Sequence, residues 1–323
     1  MGRSVCKPIG GLAGAVLALG IGLGGSVAHA APAAGAQSGE QNPVVALERY
    51  RLAAAQGDSA ALNGLGGMFE KGNGVAADLT TAYALYHLAA EKHAPSRDDP
   101  RRVLRVNVEG SHDLFALAAR VGVGKTVFSS SLYAHGRRHL PPLHEDDRPS
   151  PTTVYGLSKL AGEHLLGHFA ARGEFACTAL RLFFVFGPRQ YAGAGYKSVI
   201  IKNFERLLTG QSPVIRGDGQ QTLDYVYVDD VVDALVSALR PAADGMTLHV
   251  GSGRGVSIEE LTTTMCQIAG ADERPVREAP DDTAGTQRVC APGRASACLG
   301  WTPKVTIEEG LRRVHDWLRS AAR

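Results

Sequence analysis

Two apolar runs flanking one helical stretch constrain this chain more than any other feature. Residues 126–130 read as a short buried strand closed by Ser129-Ser130-Ser131. Residues 154–171 read as a helix, and 177–186 (CTALRLFFVF) read as a second strand. Strand, helix, strand in that order predicts a parallel sheet covered on both faces, with a further strand at 247–250. Ser131 then stands at a strand's C-terminal end, where open α/β sheets place ligands.

The helix between those strands opens with Tyr155-Gly156-Leu157-Ser158-Lys159. Residues four apart share one helix face, so phenol and ammonium lie a turn apart. An ammonium beside a phenol favours phenolate and lowers its pKa, which suits Tyr155 to proton transfer near neutral pH. The Ser131 hydroxyl can orient the alcohol or carbonyl that reacts. A Tyr-x-x-x-Lys pair alone is as well explained by an amphipathic helix with one exposed lysine. The surrounding strands and the serine favour hydride-transfer chemistry.

From about Tyr86 to Arg323 the chain resembles the extended short-chain dehydrogenase/reductases, in particular the NAD-dependent nucleotide-sugar epimerase/dehydratase family. His87-Leu88-Ala89-Ala90 looks like the family's loop against the dinucleotide, and Asn107-Val108-Glu109-Gly110 like the start of the next helix. Ser131, Tyr155 and Lys159 follow, then RLFFVFGPRQ from Arg181, GDGQQTLDYVYVDDVV from Gly217, and Leu299-Gly300-Trp301-Thr302-Pro303. The resemblance implies Ser131, Tyr155 and Lys159 as catalytic residues. It implies His87, Ala89, Ala90, Asn107 and Ser129, with Tyr155 and Lys159, around NAD. It also implies a nucleotide-sugar substrate and a homodimer through residues 107–121 and 154–171.

Several positions depart from the family's pattern. Leu132 and Tyr133 stand where dehydratases carry an acidic pair, which favours epimerisation. Phe184 replaces an asparagine that meets the nucleotide diphosphate, Leu223 replaces an arginine, and residues 281–285 lack another. Phe184, Lys197 and Arg216 are therefore candidate substrate contacts. Lys197, Lys202 and Arg216 can replace the lost cations, although such residues are more often simply solvated.

A glycine-rich turn after a first strand should present backbone N–H groups to the cofactor pyrophosphate. Gly10-Gly11-Leu12-Ala13-Gly14 comes nearest, but it follows no strand pattern and lies in another kind of segment. Gly64-Leu65-Gly66-Gly67 falls within a helix pattern. ARVGVGKT, from Ala119, matches a P-loop formally but follows a helix and enters a strand, so a helix C-cap with Gly122 and Gly124 in the turn is expected. Residues 86–323 thus read as a partial domain without its first three strands. That truncation predicts an unpaired sheet edge, an uncovered apolar face and impaired NAD binding.

Arg3 and Lys7 precede an apolar run over 9–27 and Ala28-His29-Ala30, the form of a secretory signal over residues 1–30. A membrane anchor is the alternative. Export predicts a secreted or periplasmic protein. A linker follows at 31–42. Residues 43–93 resemble a Sel-one-like, tetratricopeptide-type helix pair with a turn at Gly72-Asn73-Gly74, a class that binds protein partners.

The predicted architecture is therefore α/β: a partial Rossmann-like parallel sheet with a C-terminal substrate subdomain, preceded by a short α-helical repeat. The enzyme reading competes with an exported interaction module carrying a vestigial body, and with a recombined gene. The 323 residues carry a formal charge of only +2, which gives no reason to expect nucleic-acid binding. Five cysteines without a Cys-x-x-Cys and scattered histidines signal no metal site.

Overall fold

In the computed structural model the described residues are 16–18, 43–55, 59–78, 81, 99–136, 141–190, 197–272, 274–281, 283–291 and 293–321. Among the described residues, strand β1 (Val16–Ala18) comes first, then helices α1 (Pro43–Ala55) and α2 (Ser59–Lys71). Helix α3 (Pro100–Leu104) passes through a π-turn (Arg105–Glu109) into α4 (Gly110–Arg120). Next come β2 (Lys125–Ser131), α5 (Val154–Ala171), β3 (Ala176–Leu182) and β4 (Phe184–Phe186). The C-terminal part adds α6 (Val199–Leu208), β5 (Val214–Arg216), β6 (Thr222–Tyr227), α7 (Val228–Ser237) and β7 (Met246–Val250). It ends with β8 (Gly255–Ser257), α8 (Ile258–Ala269), β9 (Val276–Glu278), β10 (Gln287–Arg288), α9 (Gly293–Leu299) and α10 (Ile307–Ala321).

The main sheet runs β1-β2-β3-β7, all parallel. Every residue of β2 is buried, the mark of a strand covered on both faces. Successive side chains alternate between two cores, as strand geometry requires. Val127, Leu180 and Leu248 pack with Val231 and Leu235 of α7, whereas Phe128 and Ala179 pack with Phe115 and Leu166. Gly162 lets α5 approach Phe128, since a Cβ there would lie 2.5 Å from the ring.

These contacts correct two expectations. The sheet faces at β2 and β3 are covered, because α4 and α5 pack on one face and α7 on the other. The edge of β2 is paired too: Val16, Leu17 and Ala18 run parallel to Thr126, Val127 and Phe128. That short strand comes from the apolar run read as a signal. The remaining residues of that run lie outside the described ones.

The predicted strand over 177–186 breaks at Phe183. Its N–H bonds to Val250 while the next residues leave for a second sheet, ordered β10-β6-β4 with β8 antiparallel to β6. The helix expected to start at Asn107 begins instead at Pro100, capped by Asp99. Gly122, at φ +72°, ends α4 as expected, but Gly124 has no positive φ. Helices α1 and α2 pack through Leu47, Leu65 and Met68, with Gly64 beneath the Tyr50 ring. Glu70 of α2 accepts a hydrogen bond from Arg120 at the end of α4 (3.0 Å).

Candidate active site

Ser131 is the last residue of β2, and its hydroxyl accepts from the Tyr133 N–H to start a tight turn. Thr153 caps α5 by accepting from Gly156, which sets Tyr155 in the first turn. Gly156 has no room for a side chain, since a Cβ would lie 2.3 Å from the Tyr133 carbonyl oxygen. This close approach brings the helix start against the end of β2. The Ser131 hydroxyl neighbours the Tyr155 phenol and favours its ionised form, and the Tyr133 ring meets Tyr155 edge-on at 5.8 Å.

Lys159 is buried, and its Nζ donates to the Ser129 carbonyl (3.2 Å). It lies 5.3 Å from the Phe128 ring centroid and 5.8 Å from that of Tyr155. Burial pushes the Tyr155 phenol up to about 12, opposed in part by the Ser131 hydroxyl, and the Tyr133 phenol adds to the rise. Burial likewise lowers Lys159 to about 8. The lowered phenol expected from the sequence is therefore not found. Desolvation penalises both charges, and the ammonium is directed at a carbonyl and a ring.

Asn107 sits in the π-turn, a feature common at functional sites. It is buried, donates to Ser158 Oγ (3.0 Å), and Ser158 in turn donates to the Tyr155 carbonyl (2.8 Å). Asn107 thus steadies the helix carrying Tyr155 and is not among the residues lining the cavity. His87, Ala89 and Ala90 lie outside the described residues.

Ser129, Ser131, Tyr155 and Lys159 line a cavity of about 1390 Å3 together with Phe184, Lys197 and Arg216. These seven predicted residues therefore share one cavity. Two of the three predicted cations already have carboxylate partners, however. Lys197 is paired with Glu205 (2.7 Å) and Arg216 with Glu278 (3.3 Å). Phe184 packs near Tyr225.

A buried polar network behind the site went unpredicted. Arg181 of β3 makes a two-pronged pair with Glu163 of α5 (2.9 and 2.7 Å), and Ser130 also donates to Glu163. Arg181 donates to His135 Nε2 (3.1 Å), so the 2.7 Å contact with His249 Nε2 requires the proton on His249. Burial, reinforced by His135 and Arg181, pushes His249 down to about 2 and keeps it neutral. Glu163 was detectable, because it continues the Tyr155–Lys159 face by four residues. Arg288 of β10, stacked 4.6 Å from the Tyr133 ring centroid, was also missed.

This geometry matches known proteins. The profile of the NAD dependent epimerase/dehydratase family matches residues 23–251, starting well before Tyr86. The UDP-glucose 4-epimerase of Mycolicibacterium smegmatis is 35% identical over 260 residues, covering 78% of this chain and 83% of that protein. The solved UDP-glucose 4-epimerase of Thermotoga maritima with UDP-glucose is 34% identical with a TM-score of 0.68, covering 71% of this chain and 74% of that one. The UDP-glucuronic acid 4-epimerase of Bacillus cereus in complex with NAD is 25% identical with a TM-score of 0.63, over 70% and 71%.

Proposed function

Because the chain belongs to the NAD dependent epimerase/dehydratase family, whose cofactor is NAD, we propose that its cavity is that of a nucleotide-sugar epimerase with an impaired cofactor grip. The observation that carries this reading is the meeting of Ser131, Tyr155 and Lys159 in one cavity. Bound oxidised NAD supplies a hydride acceptor and a positive charge. The chain's own part is the proton. Tyr155 Oη takes it from the sugar hydroxyl and returns it, while Ser131 Oγ holds the same sugar oxygen. Lys159 provides the ammonium that favours the phenolate once the site is filled. Leu132 and Tyr133 offer no carboxylate for dehydration.

The Ser129 carbonyl, Lys159 and Tyr155 suit the nicotinamide end of NAD, since all border the cavity. Nothing comparable serves the pyrophosphate among the described residues. The glycines after β7 frame amides that Asp224 already takes, from Ser252 and Gly253. A few hydrogen bonds of about 1 kcal/mol each do not offset the roughly 4 kcal/mol or more lost in immobilising a free cofactor. Calorimetric titration of the purified chain with NAD should give no saturable heat at micromolar concentrations. Replacing residues 1–86 with the first three β-α units of a family member should restore it. Micromolar binding by the chain itself overturns the impairment.

A second reading rests on α1, where Val45 and Leu52 are exposed at 59% and 68%. It makes the hairpin a contact surface for a protein partner in an exported protein, with cleavage before Ala31. Mass spectrometry of the mature N-terminus decides the export; an intact Met1 or Gly2 in a soluble cytosolic fraction rules it out. A homodimer through α4 and α5 belongs to the epimerase reading, and sedimentation tests it.

A further inference from the structure

We propose that Arg288 is the receptor for a carboxylate on the sugar, so that the cavity prefers an acidic hexose over a neutral one; this rests on the nucleotide-sugar reading of the site. Arg288 is only 7% exposed yet lines the cavity. Its backbone is fixed by the pairing of β10 with β6, where it lies opposite Leu223. Its guanidinium stacks over the Tyr133 ring at 4.6 Å and makes no hydrogen bond or ion pair with any described residue.

Burial and that isolation together set it apart from the cavity's other cations, of which Arg189 and Lys202 are exposed. Lys197 and Arg216 have carboxylate partners, and Arg206 donates to the Ser212 carbonyl. A guanidinium carries five N–H donors and no acceptor, and burying it without an acceptor is costly. Stacking on Tyr133 satisfies the cation in part but none of its donors. An anion arriving with the ligand would complete the site in two-pronged geometry.

Position selects which anion. The Tyr133 ring touches both groups, with the Arg288 guanidinium 4.6 Å from its centroid and the Tyr155 ring 5.8 Å away, edge-on. Arg288 is therefore one ring away from the phenol that handles the reacting hydroxyl. In a pyranose oxidised at C4, the C5 substituent adjoins the reacting carbon, whereas the diphosphate on C1 lies across the ring. A carboxylate at C5 is the anion within reach of both groups. A neutral hexose leaves the buried cation unpaired, which is how a polar site rejects the wrong substrate.

The test is binding of UDP-glucuronate and UDP-glucose to the full chain, followed by calorimetry. UDP-glucuronate should bind at least about tenfold tighter, the effect of one charge-assisted hydrogen bond. Arg288→Met should abolish the preference with little change for UDP-glucose, and Arg288→Lys should restore part of it. Circular dichroism checks that the variants fold, and the wild-type preference is decisive without them. Equal affinity for both ligands in the wild type overturns the proposal. So does equal weakening of both in Arg288→Met, which would place the guanidinium on the diphosphate. If UDP-glucose binds and UDP-glucuronate binds no tighter, only the role of Arg288 falls. If neither binds, the nucleotide-sugar reading falls with it.

Discussion

The strand-helix-strand unit around Tyr155 and the hairpin of α1 and α2 are both helical packing problems, solved on very different scales. In the first, Phe115, Phe128, Leu166 and Phe175 fill one sheet face while Val127, Leu180, Leu248 and Val231 fill the other. In the second, three buried residues, Leu47, Leu65 and Met68, form the core. Its described link to α4 is the Arg120–Glu70 pair. The difference shows where function can be precise. Tyr155 and Lys159 stand on an element locked from both sides, whereas the hairpin's own core is too small to fix its position independently.

The largest effects should fall in the unit that holds the site. Glu163→Ala strips a buried two-pronged partner from Arg181, which is 4% exposed, and leaves an uncompensated cation. It should cost about 3–5 kcal/mol, read as a lower denaturant midpoint for the whole body. Truncating Leu47 in the hairpin should leave that midpoint in place and abolish hydrogen-exchange protection only over residues 43–71. A common loss of both regions in the Leu47→Ala variant would show one cooperative unit and break the contrast.

A smaller effect comes from Lys159. Its folded value, about 8, lies below its ordinary 10.5, so the native state releases its proton first. Between those values the unfolded chain binds more protons, and stability must rise with pH. From pH 8 to pH 10 the gain should be about 2–3 kcal/mol, at 1.36 kcal/mol per unit. Tyr155 acts in the opposite sense. Its folded value, about 12, exceeds its ordinary 10, so its contribution is present below pH 10 and is lost as pH rises towards 12. Urea midpoints across pH 7–10 should therefore climb in the wild type and stay flat in Lys159→Met. A wild-type curve as flat as the variant's would place the ammonium in water.

The same contrast explains what the sequence revealed. Tyr155, Lys159 and Ser131 were legible because helix periodicity and a strand end fix them locally, and the helix over 154–171 was found at its observed bounds. Glu163 lay one turn further along the same face, but its partner Arg181 is brought in by β3, and nothing local announces that pairing. Arg288 was invisible for the same reason: its neighbour Tyr133 is distant in sequence and is reached only through β10. The break at Phe183 escaped because an unbroken apolar run cannot show that its second half joins another sheet. Strand β1 escaped because three apolar residues in an apolar run look alike whether they are exported or paired. The paired cations Lys197 and Arg216 line the same cavity as Tyr155, but their carboxylates, Glu205 and Glu278, were not foreseen.

The smallest expected effect probes the seam between the two regions. Arg120 is half-exposed while Glu70 is largely covered, and their contact is 3.0 Å. A pair with one side in water gains little Coulomb energy, loses side-chain freedom and is screened by salt. A double-mutant cycle with Arg120→Ala and Glu70→Ala should therefore give a coupling of about 0.2–1 kcal/mol, shrinking as salt rises. Hydrogen exchange in α2 is the appropriate readout, because the body's own transition should not register the loss. Protection in α2 should fall in Arg120→Ala while the amides of β2 and β3 keep theirs. A coupling above about 2 kcal/mol that persists in high salt would exceed what an exposed pair supplies. The hairpin would then be bound to the body as firmly as α5 is to the sheet, and the two regions would have to be treated as one.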